Sequence, residues 1–242
     1  MGSTRLPGKV LADLHGKPMI VRQLERLGRS VQLERLVVAT TSKASDDELA
    51  SVVTSLGVDV FRGDSEDVLG RFIGVADKWN PEVIVRLTAD CPLASPEIID
   101  RVILDFRASD VDYASNTLNP TFPDGLDVEV VRTCALAWVN ENSKDADERE
   151  HVTLGVYRRP EDFKLLSIRD SADHSNLRWT VDDSADLDFV RWVYAELHDL
   201  NPLFEYGDIL DLIARHPMKS RTSKDATRNA ALLGLDTGAM NA

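Results

Sequence analysis

The chain has 242 residues, with 41 Asp and Glu against 28 Lys and Arg; the resulting net charge of −13 excludes a generic nucleic-acid binder, and 43% hydrophobic content excludes a disordered tail. Cys91 and Cys134 lie far apart without a CxxC pattern, which argues against a disulfide framework or zinc site and for two buried thiols in a reducing compartment. No apolar run approaches the roughly 20 residues of a membrane span, and no apolar signal region opens the chain, so a cytoplasmic location is expected.

In chain order, Pro18 is placed to open a helix carried by Ile20, Leu24 and Leu27 to about Arg29. Leu36 to Thr41 reads as a buried strand. Ser45 followed by Glu48 is a capping-box pattern, and the helix it begins should stop near Gly57. Val58 to Phe61 is a short strand, Glu66 to Trp79 an amphipathic helix, and Glu82 to Thr88 a β-rich run ending in the polar loop Ala89-Asp90-Cys91-Pro92. Ser95-Pro96 opens a helix reaching about Ala108. This alternation predicts an α/β fold with a mostly parallel central sheet covered on both faces, and ligands at the carboxyl ends of its strands. From Val111 to Thr180 the alternation weakens. Short β-like runs (Val111 to Ser115, Leu126 to Val131, Phe163 to Ile168, Leu177 to Val181) surround helices starting near Thr133 and Asp147, which predicts a mixed or antiparallel extension. Helices over Ala185 to Leu197 and Gly207 to Arg215 close a single domain spanning 1–218, and the tail 219–242 loses its periodicity and is expected to be loosely held.

Chemistry concentrates in a few segments. Gly2-Ser3-Thr4-Arg5-Leu6-Pro7-Gly8-Lys9 combines glycines, hydroxyls and two cations, a kit for wrapping a polyphosphate, although its spacing is not that of a P-loop and a mobile basic turn reads equally well. Asp90 and Asp182 each follow a β-like run. Two carboxylates on the ligand side of one sheet can hold Mg²⁺, which takes oxygen ligands and keeps substrate phosphates in its shell; either Asp alone could equally cap a turn. Asp127 and Glu129 share one face of a strand by its period of two, and could there face water. Glu148-Arg149-Glu150-His151 reads as a solvated helix end or as a site segment around His151.

The strings Met1-Gly2-Ser3-Thr4-Arg5-Leu6-Pro7-Gly8-Lys9-Val10-Leu11, Thr88-Ala89-Asp90-Cys91-Pro92-Leu93, Thr121 to Glu129, Glu148-Arg149-Glu150-His151-Val152-Thr153 and Arg178-Trp179-Thr180-Val181-Asp182 occur in that order. Together they resemble the spore-coat-polysaccharide type of cytidylyltransferase, related to the acylneuraminate and 3-deoxy-manno-octulosonate cytidylyltransferases. The resemblance implies a nucleotidyltransferase-like domain of the GT-A or Rossmann-like kind and Mg-dependent transfer of CMP from CTP to a sugar acid or related sugar, with pyrophosphate released, for surface polysaccharide synthesis. It implies that Gly2, Ser3, Thr4, Arg5 and Lys9 hold the CTP phosphates, that Thr40 and Thr41 lie near the nucleotide, that Asp90 and Asp182 carry the metal, and that Asp127, Glu129 and His151 face the sugar. Arg5, Lys9, Asp90 and Asp182 are the expected catalytic set. A homodimer meeting through the 111–180 extension is the family expectation. A glycosyltransferase on the same fold, or a non-catalytic nucleotide-binding module, are the alternatives. Members of the family carry a hydrophobic strand and an Ala-Arg pair ahead of the residue matched by Met1: either the start is assigned too late, or the strand is absent and the sheet is expected to lack a central strand and to be weakened by it.

Overall fold

The computed structural model describes residues 5–222. After a single 3₁₀ turn at Lys9–Leu11, a small hairpin of β1 (Asp13–Leu14) and β2 (Lys17–Pro18) leads into α1 (Met19–Leu27), with Pro18 at the N-cap. Then follow β3 (Val37–Thr41), α2 (Asp47–Ser55), β4 (Asp59–Gly63), α3 (Val68–Trp79), β5 (Val83–Arg86) and α4 (Pro96–Arg107). The extension comprises β6 (Tyr113–Ser115), β7 (Glu129–Arg132), α5 (Thr133–Asn142), α6 (Ala146–Glu150), α7 (Leu154–Tyr157) and β8 (Leu165–Ser167), and α8 (Ser184–Leu197) and α9 (Tyr206–Arg215) close the domain.

Helices cover both faces because the strands alternate. Val83 and Val85 of β5, Ala114 of β6 and Val130 of β7 pack with α1, α4, α8 and α9, while Ile84, Tyr113 and Val131 point the other way into a second cluster with α3, α5 and α7. A fully buried valine such as Val130 or Val131 contributes about 1.5–3 kcal/mol in this way. The fold is α/β with mixed pairing, and the strands divide into separate sheets. β3 and β4 pair in parallel, and a four-stranded sheet runs β5-β7-β6-β8, antiparallel at β5-β7 and β7-β6 and parallel at β6-β8. Among the described residues, β3 and β5 each therefore keep one edge without a strand partner.

Four local expectations are revised. The Ser45–Glu48 capping box does not form: Ser45 lies inside a 3₁₀ turn, Ala44–Asp46, so α2 starts one residue later than that box would place it and its N-cap is Asp46. Leu177 to Val181 makes isolated bridges, Leu177 to Thr222 and Asp124 to Arg178, instead of a strand. Cys134, on the outward side of the first turn of α5, is exposed, whereas Cys91 is buried. Of the tail expected to be loose, Arg221 is tied down, its guanidinium 3.1 Å from Asp186 and its carbonyl accepting from the Arg178 N–H at 3.0 Å; residues 223–242 lie outside the described residues.

Candidate active site

Three chain segments far apart in sequence are laced together at one end of the sheet. The first is Leu6 to Leu11, where Gly8 takes a left-handed conformation (φ 73°) and buried Val10 anchors the turn, so that Lys9 points inward. Its ammonium donates to Asp90 Oδ2 at 3.0 Å, to the Val181 carbonyl at 2.6 Å and to Asp182 Oδ1 at 3.1 Å. The second segment is the loop after β5 that carries Asp90. The third is Leu177 to Asp182, sewn to the second by the Val181 N–H donating to the Asp90 carbonyl at 2.8 Å. Arg5 Nη2 lies 3.1 Å from Asp182 Oδ2. Arg5, Lys9, Asp90 and Asp182 are thus brought together; Gly2, Ser3 and Thr4 lie outside the described residues.

Beneath this cluster sits Arg178, 2% exposed and missed by sequence reasoning as a functional residue. It donates to Asp182 Oδ2 at 2.7 Å, to Asp124 Oδ2 at 3.0 Å and to both Asp186 oxygens at 3.1–3.2 Å. Burial alone would push the Asp182 carboxyl up, but the Arg178 hydrogen bond, Lys9 and Arg5 hold it below the usual carboxylate range. Asp186 is depressed likewise, burial again opposing and Arg178 prevailing. The signal available in the sequence was a charged residue beginning an otherwise apolar run, Arg178-Trp179-Thr180-Val181, since a buried guanidinium requires acidic partners. Gly125 (φ +105°) makes this approach possible: a Cβ there would come within 2.5 Å of the Thr180 backbone nitrogen.

Beside the cluster opens a cavity of about 240 Å³ whose wall includes Asp90, Asp182, Asp127, Glu129, His151 and Arg86. Glu129 is 6% exposed and internally satisfied: it is ion-paired with Arg86, accepts from the Tyr113 hydroxyl at 2.7 Å and also accepts from the Thr153 hydroxyl. Residues 151–153 are aimed by a strained backbone. Val152, a β-branched residue with no exposed surface, has φ 49°, turning His151 towards the cavity and Thr153 towards Glu129. Thr40 and Thr41 are not in the cavity wall; their hydroxyls donate to Asp46 Oδ2 at 2.6 and 2.7 Å, which holds that carboxyl well below its ordinary range even though burial opposes this. A shallower hollow of about 310 Å³ between α4 and β8 contains none of the expected site residues.

The donor set of Asp90 and Asp182 suits a hard cation. Both carboxylates already converge on one shared positive charge, the Lys9 ammonium, and both offer oxygen only. Among the described residues the group of three metal-ligating side chains, His15, His198 and Asp199, is not part of the cavity wall, and Arg22 Nη1 lies 3.2 Å from His198 Nε2, setting a fixed positive charge beside it.

The pattern of a known family, described as cytidylyltransferase, matches residues 1–200. The spore coat polysaccharide biosynthesis protein SpsF of Bacillus subtilis is 32% identical over 226 residues, 90% of this chain and 92% of that protein. A 3-deoxy-manno-octulosonate cytidylyltransferase of Geobacter sulfurreducens is 40% identical over 103 residues, 42% of this chain and 40% of that one. The solved structure of a cytidylyltransferase from Leptospira borgpetersenii superposes with a TM-score of 0.86 at 32% identity, covering 90% of this chain and 92% of its own.

Proposed function

The chain belongs to the cytidylyltransferase family and is therefore a nucleotidyltransferase, and from that premise we propose that it transfers CMP from CTP to a sugar acid or related sugar, with Mg²⁺, for surface polysaccharide synthesis. The observation that carries this reading is the Lys9 ammonium held between Asp90 and Asp182 at the edge of a sugar-sized cavity, with Arg5 alongside. The names of the related proteins support the nucleotide and the polysaccharide context.

In this proposal Arg5 and Lys9 bind the triphosphate, because in a protein of net charge −13 a trianion or tetra-anion needs a local concentration of cations. Asp90 and Asp182 would hold the Mg²⁺, and the chemistry it would supply there is neutralisation of charge on the departing pyrophosphate. A sugar hydroxyl oxygen forms the new bond to the α-phosphorus, the bond from that phosphorus to the β-phosphate oxygen breaks with its electron pair leaving on pyrophosphate, and the hydroxyl proton passes to solvent. Asp127 and His151 position the sugar from the cavity wall, while Glu129 serves from behind by fixing Arg86 and Tyr113. Little covalent work is asked of the protein, so alignment of the two substrates carries the rate.

A homodimer meeting through the 111–180 extension and a cytoplasmic location belong to the same proposal; among the described residues no helix is long and apolar enough to cross a membrane. The direct test is pyrophosphate release by the purified chain with CTP, MgCl₂ and a panel of sugars. Release that requires all three supports the proposal, and consumption of a nucleotide sugar with no pyrophosphate from CTP overturns it in favour of glycosyl transfer.

A further inference from the structure

We infer, on the reading that Asp182 serves a cytidylyl transfer, that Arg221 is a positioning residue for that reaction: it fixes Asp186, and Asp186 in turn fixes the backbone and the carboxylate of Asp182. Arg221 belongs to the segment that follows α9 and the 3₁₀ turn Pro217–Lys219. Two separate ties bring it to the site. Its main chain is held where the Arg178 N–H donates to the Arg221 carbonyl at 3.0 Å and where Leu177 bridges to Thr222. Its side chain donates to Asp186 Oδ1 from Nε at 3.2 Å and from Nη2 at 3.1 Å, and Nη2 also lies 3.5 Å from Asp183 Oδ2.

The side chain of Asp186 is fully buried, and its two oxygens are divided between tasks. Oδ1 takes Arg221 together with Arg178 Nε at 3.2 Å. Oδ2 takes the N–H groups of Asp182 at 3.0 Å and Asp183 at 3.2 Å, with Arg178 Nη2 at 3.1 Å. Two charge-assisted donors from one guanidinium resist rotation of the carboxylate, and that rotation is what would carry Oδ2 off the Asp182 amide. Charge adds a second effect on the same residue. Arg178 has one positive charge for Asp124, Asp182 and Asp186, and its Nη2 is shared, 2.7 Å from Asp182 Oδ2 and 3.1 Å from Asp186 Oδ2. Arg221 brings another positive charge to Asp186, the most buried of the three, which leaves Arg178 closer to Asp182. With Arg221 removed, Arg178 is drawn towards Asp186, because a carboxylate cut off from water depends most on its partner. Asp182 is then loosened at its amide and at its carboxylate together, and the oxygen it turns to Lys9 is less well aimed for a cation.

The test uses the full chain, its variants Arg221→Met and Arg221→Lys, and Ile209→Val as a control that loosens the buried face of α9 without touching Asp186. The main-chain tie does not depend on the side chain, so Arg221→Met keeps the segment docked. CTP affinity is measured by calorimetry for each protein in EDTA and in MgCl₂, beside thermal melts. The factor by which MgCl₂ tightens CTP binding is compared between proteins, since the Mg²⁺ that CTP takes up in solution is common to all of them. Groups that orient ligating carboxylates carry roughly 10–100-fold in metal affinity, and Arg221 acts one residue further back, so in Arg221→Met that factor should shrink about tenfold. Arg221→Lys should fall between this variant and the parent. Ile209→Val should keep the parent's factor while melting lower. A parental factor in Arg221→Met, or an equal loss in Ile209→Val, overturns the inference and leaves the nucleotide reading standing, as does a parent whose CTP binding ignores MgCl₂. Should Arg221→Met fail to fold, a parental factor in Arg221→Lys overturns it and a reduced one supports it. Absence of CTP binding by the parent overturns the nucleotide reading and this inference with it.

Discussion

Arg178 Nη2 donates to Asp182 Oδ2 at 2.7 Å from a position 2% exposed, so the aspartate facing Lys9 is held from behind by a guanidinium that solvent scarcely touches. Replacing Arg178 with Met removes the counter-charge shared by buried Asp186 and half-buried Asp124, with Arg221 left on Asp186. A loss of about 3–5 kcal/mol follows from breaking a buried pair on one side. Arg178→Lys should recover part of the stability but not the two-pronged geometry. Urea unfolding of both variants measures this, and a lysine variant as stable and active as the parent would remove Arg178 from its central role.

The depressed carboxyls of Asp182 and Asp186 predict acid lability. Their folded pKa values lie below the unfolded value of about 4, so their contribution is complete above that pH and is lost as pH falls through the folded values. Melting temperature should hold from pH 7 to about pH 5 and decline below about pH 4. In Arg178→Met that decline should be shallower, because the variant has less of this contribution to lose; equal slopes in the two proteins would contradict the assignment.

Asp90 and Asp182 should separate activity from stability differently. Asp90 is partly exposed and its carboxylate meets Lys9 and Cys91, so Asp90→Asn should reduce turnover by a factor on the order of 10²–10³ with little change in melting temperature. Asp182→Asn removes the carboxylate from Lys9, Arg5 and Arg178 at once, and should lower both. Parallel activity assays and melts compare them, and identical behaviour of the two would contradict the arrangement.

Lys9 is the cation that keeps Asp90 and Asp182 together. In Lys9→Met the two carboxylates face each other without it, so the variant should melt lower than the parent in the absence of Mg²⁺ and gain more on adding MgCl₂. Its CTP affinity should fall at the same time. A melting temperature indifferent to Mg²⁺ in both proteins would argue against metal binding at these residues.

Gly125→Ala should cost more than about 1 kcal/mol, since φ +105° disfavours any Cβ and this one would meet the Thr180 nitrogen at 2.5 Å. Displacing Thr180 shifts Asp182, so turnover should fall along with stability. Retention of full activity would show that the Asp124–Arg178 bridge is dispensable.

Much of this protein was legible in the chain alone. Helices α1, α4, α5, α8 and α9 begin within about two residues of where periodicity and proline placement put them, because those signals are local. The sequence strings also carry the family's pattern, and with it Arg5, Lys9, Asp90 and Asp182 as one group. Tertiary structure decided what those residues touch. Lys9 and Val181 are 172 positions apart, and no local pattern encodes their 2.6 Å hydrogen bond. The same holds for Arg178, whose four contacts come from Asp124, Asp182 and Asp186, and for Glu129, which strand alternation placed beside Asp127 but which Arg86, Tyr113 and Thr153 enclose. Thr40 and Thr41 sit at the carboxyl end of β3 as expected, yet Asp46 takes both hydroxyls. Pairing of strands across the chain is likewise a long-range choice, and it divided the sheet between β3 and β5 although each strand was readable by itself. Local propensity specifies an element; which carboxylate neutralises which buried cation depends on packing that only the folded chain creates.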